Sequence, residues 1–412
     1  MPILGREHRF RVNSEVGVLR DVMVHTPGRE LLAVTPATRR EYLYDDLLER
    51  ERARVEHGVF KAVLERFSRV HELRDLLHEA LLYPEARQFL ISRSVQATGM
   101  DHLLGSFESL DISTFSERFI SGWKVPTGPF SRDLARPAYL LPPLPNLFFP
   151  RDASVMLGND VVIANMRHLS RWPEAALMRT IVGFHPSFAD LRVLHDGSAM
   201  RHRDLTLEGG DIHVISPEVV MIGLSERTQA NALDMLSDTL FESTKITDVI
   251  AVVLPEGCLA IHLDMIWTQL DHDLCAAYPP LIAQPGWATV LHRRKGSGTL
   301  RRCTGILEAL ASVGLPMDVV LCGGDSPESQ ARDLWASGCN FLSVAPGIVL
   351  AYSRNEETLS SLEGAGFDIV AGEDFLRRDA APSVRTVITF PGSELVRGGG
   401  GPRCMSCPLL RD

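Results

Sequence analysis

The sequence predicts an α/β protein built of repeated strand–turn–strand–helix–strand units and interrupted by a helical insertion. Three observations lead there. One apolar pattern recurs three times after residue 150. One long stretch before it has helical spacing and almost no strand signal. The composition, 45% hydrophobic and 23% charged, is that of an ordinary globular protein, with core enough for two or three domains or one large one.

The helical stretch comes first along the chain. In "HELRDLLHEALLYPEARQFLISRSV" apolar residues recur every three or four positions, and "LLGSFESLDISTFSERFISGW" continues with Ser and Asp as candidate N-caps. The prolines of "LLPPLPN" end it, because proline removes a backbone donor and clashes with the preceding turn. The expected division is therefore a helical insertion at 71–137 within an α/β body formed by 1–70 and 138–412.

The repeats follow. "DASVMLGNDVVIANMRHLSRWPEAALMRTIV" reads as a strand, a turn at "GND", a second strand and a helix. "DIHVISPEVVMIGLSERTQANALDML" does the same with its turn at "SPE". "NFLSVAPGIVLAYSRNEETLSSLEGAGFDIV" turns at "APG" and adds a glycine helix stop and a third strand. Units of roughly forty residues imply ββαβ blades. Their sequences differ too much for a simple solenoid.

Several functions are excluded. A formal net charge of −10 disfavours nucleic acid, whose phosphates demand clustered Lys and Arg. No apolar run reaches membrane-spanning length, and "MPILGREHRFRVNSEVG" lacks an apolar export segment. A cytoplasmic protein with a small-molecule partner is expected, and homo-oligomerisation stays an open alternative. Seven scattered cysteines do not form a disulfide framework and read as reduced core residues.

Polar residues interrupt apolar runs at four places. "PNLFFPRDAS" carries Arg151 and Asp152, "LEGGDIH" carries Glu208 and Asp211, "AIHLDMIWTQLDHD" carries His262 and Asp264, and "GGGGPRCMSCPLLRD" carries Cys404 and Cys407. If His262 and Asp264 lie in a strand, they project from one face. Each has an ordinary alternative: a turn or N-cap aspartate, a core histidine, surface ion pairs for Arg171 and Arg227. The tail itself reads as a frayed end, a redox or metal C-x-x-C, or a mobile loop delivering one nucleophile.

Their combination fits one chemistry. Carboxylates beside a cysteine and a histidine repel an anion but suit a guanidinium, a planar cation with N–H donors in a fixed fork. Two carboxylates can hold the fork while a thiolate attacks its central carbon. Arg171 and Arg227 are the candidates for a carboxylate at the substrate's far end. One histidine among carboxylates with a distant cysteine matches no metal-ligand spacing, so neither metal nor cofactor is expected.

The same segments, in order, resemble the arginine deiminases of the guanidino-group-modifying, or pentein, superfamily. "RVNSEVGVLRDVMVHTPGRELLAVTP" and "YLYDDLLERERARVEHGVF" are similar to the family's opening, and "LLPPLPNLFFPRD", "LEGGD", "SERT", "HLD" and "GGGPRCMSCPLLRD" follow at matching spacing. The resemblance implies a five-bladed α/β propeller with an inserted helical domain. It implies hydrolysis of L-arginine to L-citrulline and ammonia through an S-alkylthiouronium on Cys404. His262 is then the proton shuttle, Asp152 and Asp264 grip the guanidinium, and Glu208 sits beside the histidine. Asn146, Arg171, Asp211 and Arg227 are implied substrate-binding residues.

Two departures stand out. Family members often carry an arginine where this chain has Gly399, Arg397 being the nearest replacement, and Pro150 stands where a threonine is usual. An amidinotransferase, or a deiminase of a specialised guanidino compound, is the alternative within this chemistry; a silent arginine-binding protein is the alternative outside it.

Overall fold

The computed structural model describes residues 9–98, 107, 109–125, 128–134, 138–199, 202–378, 382 and 385–412. The chain is a mixed α/β fold, and among the described residues five sheets share one ladder. Two strands pair antiparallel, and the second then takes a parallel partner that arrives after a helix. Ser154–Leu157, Asp160–Ile163 and Arg192–Asp196 form one such set around the helix Trp172–Phe184. Ile212–Val214, Val219–Leu224 and Asp248–Val253 form the next around Ala230–Ser243, and two further antiparallel strands extend it. Trp267–Asp271, Leu274–Ala277 and Asp318–Leu321 make the third. Leu342–Ala345, Ile348–Tyr352 and Thr386–Phe390 make the fourth. The two ends of the chain supply the fifth: Cys407–Arg411 pairs antiparallel with Leu19–Val24, which pairs parallel with Arg69–Glu72 after the helix Arg50–Glu65.

The strands read as unbroken apolar runs because both faces are covered. Met156, Val161 and Ile163 pack into one core, while Val155, Leu157 and Val162, one residue out of phase, pack into another. The "GND" turn carries Gly158 at φ 61°, and the "APG" turn carries Gly347 at φ 71°, left-handed conformations that glycine adopts without a Cβ penalty.

One strand departs from the expected order. Asp368–Ala371, read as the third strand of its unit, is an edge, and Thr386–Phe390 takes the inner place beside Ile348–Tyr352. All five residues of "TVITF" are buried, whereas Asp368 and Ala371 are exposed. The more apolar segment takes the covered position.

The expected helical stretch holds Leu73–Ala80, Pro84–Thr98 and Ile112–Ser121, with Asp111 accepting from the Thr114 amide as N-cap. Its residues 99–106, 108, 126–127 and 135–137 lie outside the described residues. It also contains strand that was not expected, Trp123–Val125 paired with Ala138–Leu141. Leu73, Leu77, Leu90, Phe115 and Phe119 share one core with Ile163, Met178 and Ile181, so these helices pack directly on the α/β body. Among the described residues no helix is long and apolar enough to cross a membrane.

Candidate active site

The short segments that lead into the first strand of each sheet meet one another. Asp152 lies in the single turn Pro150–Ala153, which proline starts and Ser154–Leu157 follows. Glu208 precedes the turn Gly209–Asp211 and the strand Ile212–Val214. His262 and Asp264 belong to a turn over Leu263–Met265, just before Trp267–Asp271. The expectation that they share a strand face is thus corrected. The turn separates them, and each reaches different partners.

His262 Nε2 lies 2.8 Å from Glu208 Oε2, and Nδ1 lies 3.7 Å from Asp152 Oδ1. Asp264 Oδ2 accepts from Arg403 Nη1 at 2.9 Å and from the Cys404 thiol at 3.4 Å. The two glycines of "EGGD" make this convergence sterically feasible. A Cβ on Gly210 would sit 2.6 Å from His262 Nδ1, and one on Gly209 would sit 2.0 Å from the Arg151 carbonyl.

All of these groups are buried, so their charges act on each other strongly. Burial alone would lower the His262 pKa, but Asp152, the Glu208 hydrogen bond and Asp211 outweigh it and raise the imidazole to about 9. Glu208 is held below the usual carboxylate range: burial works to raise it, and Arg227, His262 and Arg171 overcome that. Cys404 is pushed well above an ordinary thiol, first by burial and then by the carboxylates of Asp264 and Asp152. The resting pair is therefore a neutral thiol and a protonated imidazole.

The chain's end is ordered throughout, not frayed. Arg151 pins it, its amide donating to the Cys404 carbonyl at 3.4 Å and its Nε to the Ser406 carbonyl at 3.0 Å. Tyr352 Oη donates to the Gly400 carbonyl. The glycines have a packing role that backbone freedom alone does not suggest. A Cβ on Gly398 would meet Phe148 at 2.8 Å, one on Gly400 would meet Phe149 at 2.5 Å, and one on Gly401 would meet Asn340 at 2.8 Å. Only Gly399, at φ 86° with open space around it, is there for conformation. All seven cysteines are free. Cys407 Sγ turns away from Cys404 to the carbonyl of Ser154 at 3.4 Å, so the C-x-x-C spacing makes neither a disulfide nor a shared ligand pair.

A narrow cavity opens beside Cys404, lined by Asp152, His262, Asn146, Arg171, Arg227 and Gly398–Gly400 among others. Arg171 gives Nη1 to Asp152 Oδ2 at 2.6 Å and Nε and Nη2 to Glu174. Arg227 gives Nη1 to Glu208 at 3.4 Å and Nε to Glu226 at 2.8 Å. Asn146 donates to the Tyr42 carbonyl. Asp211, expected at the substrate, does not line the cavity, and neither do Asp264 and Glu208, which reach it through their contacts with Cys404 and His262. The Asp211 carboxylate takes the Leu263 amide at 2.9 Å and the Ser225 hydroxyl at 2.7 Å, fixing the turn that carries His262 and Asp264. Arg397, the nearest substitute for the missing arginine, is instead bound to Asp46 at the surface.

Sequence reasoning passed over Glu15, Arg403 and Asn340. Arg403 is fully buried and bridges Glu15 to Asp264, with Nη2 3.1 Å from Glu15 Oε1. It orients the carboxylate that touches the cysteine. The "PRC" spelling, a charged residue directly before a cysteine in an apolar tail, was the available signal.

The chain as a whole is similar to known proteins. The family model for arginine deiminase matches residues 131–411. The arginine deiminase of Rhodococcus erythropolis strain PR4 is 33% identical over 97% of both chains. The chain belongs to the arginine deiminase family. Solved structures share the fold at lower identity. An amidinotransferase of the saxitoxin biosynthetic pathway from Microseira wollei matches 98% of this chain and 97% of its own, at 13% identity and a TM-score of 0.55. DDAH from Pseudomonas aeruginosa, solved with citrulline, matches 96% of this chain and 100% of its own, at 14% identity and a TM-score of 0.52.

Proposed function

We propose that this chain hydrolyses L-arginine to L-citrulline and ammonia through a covalent intermediate on Cys404. One observation carries the reading. Asp152 Oδ1 and Asp264 Oδ1 are buried acceptors with no hydrogen-bond partner, while the other oxygen of each is already bound to an arginine. A buried carboxylate oxygen without a donor is costly unless a ligand supplies one. Two such oxygens, on carboxylates beside one thiol, match a guanidinium fork.

The substrate cation neutralises the two carboxylates that hold the thiol protonated, so its binding favours the thiolate, the thiol proton leaving to solvent. The thiolate adds to the guanidinium carbon. His262, protonated at rest, gives its proton to the departing nitrogen as the C–N bond breaks, and ammonia leaves an S-alkylthiouronium. Now neutral, His262 takes a proton from water, which adds to the same carbon. The C–S bond then breaks to return the thiolate, and the new hydroxyl gives its proton to solvent to leave citrulline, that proton and the released ammonia together making ammonium. Asp152 and Asp264 balance the cationic centre throughout.

In this reading the five sheets are blades of a pentein propeller, with residues 71–137 as its helical insertion. The cavity offers about 20 Å³ to a water-sized molecule, room for one water.

Asn146, Arg171 and Arg227 are assigned to the amino-acid end. Agmatine, which lacks the carboxylate, should then lose about 1.5–3 kcal/mol of binding in the transition state, a specificity constant roughly 10- to 150-fold lower. Equal constants for agmatine and arginine would overturn this assignment. The reading as a whole is tested by measuring citrulline and ammonia with purified protein and a panel of guanidino compounds. Citrulline formed from arginine without an amine acceptor supports hydrolysis. Turnover only with an acceptor supports an amidinotransferase.

A further inference from the structure

We propose that Asn340 belongs to the catalytic set, as the neutral hydrogen-bond donor that holds Cys404 Sγ in its attacking position. The inference rests on Cys404 as the nucleophile. Asn340 is buried, and Nδ2 lies 3.1 Å from Cys404 Sγ. The same nitrogen reaches the Asp264 carbonyl at 3.1 Å, and Oδ1 accepts from the Arg403 and Cys404 amides at 3.0 and 3.2 Å.

The amide orientation is fixed by its neighbours. Two backbone N–H groups point at one end, which must be the oxygen, and a backbone carbonyl faces the other, which must be the nitrogen. Reversing the amide would set donor against donor and acceptor against acceptor. A true N–H donor therefore faces the sulfur.

Its place in the fold supports the same role. Asn340 directly precedes Phe341 and the strand Leu342–Ala345, the position that Asp152, Glu208, the His262–Asp264 turn and Cys404 hold before the opening strands of the other four sheets. The fourth sheet thus contributes to the site as the others do. The approach is tight: the missing Cβ of Gly401 is what lets the loop pass Asn340. A tertiary hydrogen bond from Thr268 Oγ1 to the Cys339 carbonyl holds the preceding residue.

The chemistry explains the choice of an amide. The sulfur is faced by Asp264 and Asp152, which oppose its ionisation, with Arg403, His262 and Tyr352 close by. A thiolate there needs a donor. A lysine or arginine would supply one but would repel the guanidinium that must occupy the same cavity. A neutral amide stabilises developing negative charge on sulfur without opposing the substrate's positive charge.

Asn340→Asp removes the N–H but adds a carboxylate whose charge alone would raise the thiol, so it is read beside Asn340→Ala and Asn340→Leu, which remove the N–H without adding charge. Asn340→Asp keeps an oxygen for the Arg403 and Cys404 amides but has no N–H for the sulfur, whereas Asn340→Ala and Asn340→Leu remove both functions. Three readouts apply to each purified variant: thermal unfolding, kcat and KM with arginine, and the pH dependence of Cys404 alkylation by iodoacetamide without substrate. Expected for each variant is a kcat lower by about 100-fold or more, with KM within a few-fold. The alkylation midpoint should move up by about one pH unit. If Asn340→Ala does not fold, Asn340→Leu, of similar size and uncharged, takes its place, and the proposal is supported only where an uncharged variant shows the shift. Asn340→Asp or a folded uncharged variant with wild-type alkylation behaviour and a kcat within about threefold of wild type would overturn the proposal and leave Asn340 as a loop anchor. Because alkylation needs no substrate, that arm stands even if arginine proves not to be turned over.

Discussion

Cys404→Ala is expected to abolish citrulline formation, by about 10⁴-fold or more, while Cys407→Ser keeps most of it. Both residues are buried thiols, so reactivity cannot be assigned from exposure. Position decides. Cys404 Sγ touches Asp264 and Asn340 and lines the cavity that also holds His262 and Asp152. Cys407 Sγ contacts Ser154 and lines a separate apolar cavity with Met23, Met156 and Leu409. Among the described residues, no histidine and no carboxylate lines that cavity. Citrulline assays on both variants, with thermal unfolding as a control, settle this. A Cys404→Ala protein that still turns over would place the chemistry on another group.

His262→Asn is expected to lower kcat by roughly 10²- to 10⁴-fold, the range for removing a positioned proton donor. The wild-type pH profile should carry the matching signature. With the imidazole raised to about 9, the protonated donor is the main form below that pH and is lost above it. The specificity constant, which reports the free enzyme, should therefore rise with pH up to about 9, because the thiol must lose a proton, and level off above it, where loss of the imidazole proton cancels the gain in thiolate. A profile that keeps rising beyond pH 10 would contradict His262 as the acid. Residual activity near wild type in His262→Asn would do the same.

Much of this was legible in the sequence, for identifiable physical reasons. The hairpins show because strands covered on both faces must be apolar along their whole length, as in "VMLGNDVVI". Asp152, Glu208, His262 and Cys404 show because each breaks such a run just before a strand begins. What did not show depends on contacts between distant residues. Glu15 and Arg403 pair across 388 positions, and no local period marks such a pair. The glycines of 398–401 read as freedom in one dimension. In three they are close approaches to Phe148, Phe149 and Asn340. Asn340 itself stands at the head of "NFLSVAPG", in the slot the other site residues occupy, but a lone asparagine before a strand is also an ordinary turn residue. Asp368–Ala371 was placed inside its sheet because it follows its helix directly, whereas burial gives that position to the more apolar "TVITF".

The central claim, that Cys404 carries a covalent intermediate in this narrow site, is tested most directly by acid-quenching the enzyme during turnover of arginine. Intact mass and peptide mapping then locate the adduct. The expected result is one adduct, with the mass of arginine less ammonia, on the peptide containing Cys404 and on that sulfur alone. Citrulline accumulating with the adduct on Cys407, or on neither cysteine under conditions that trap a thiouronium standard, would contradict it.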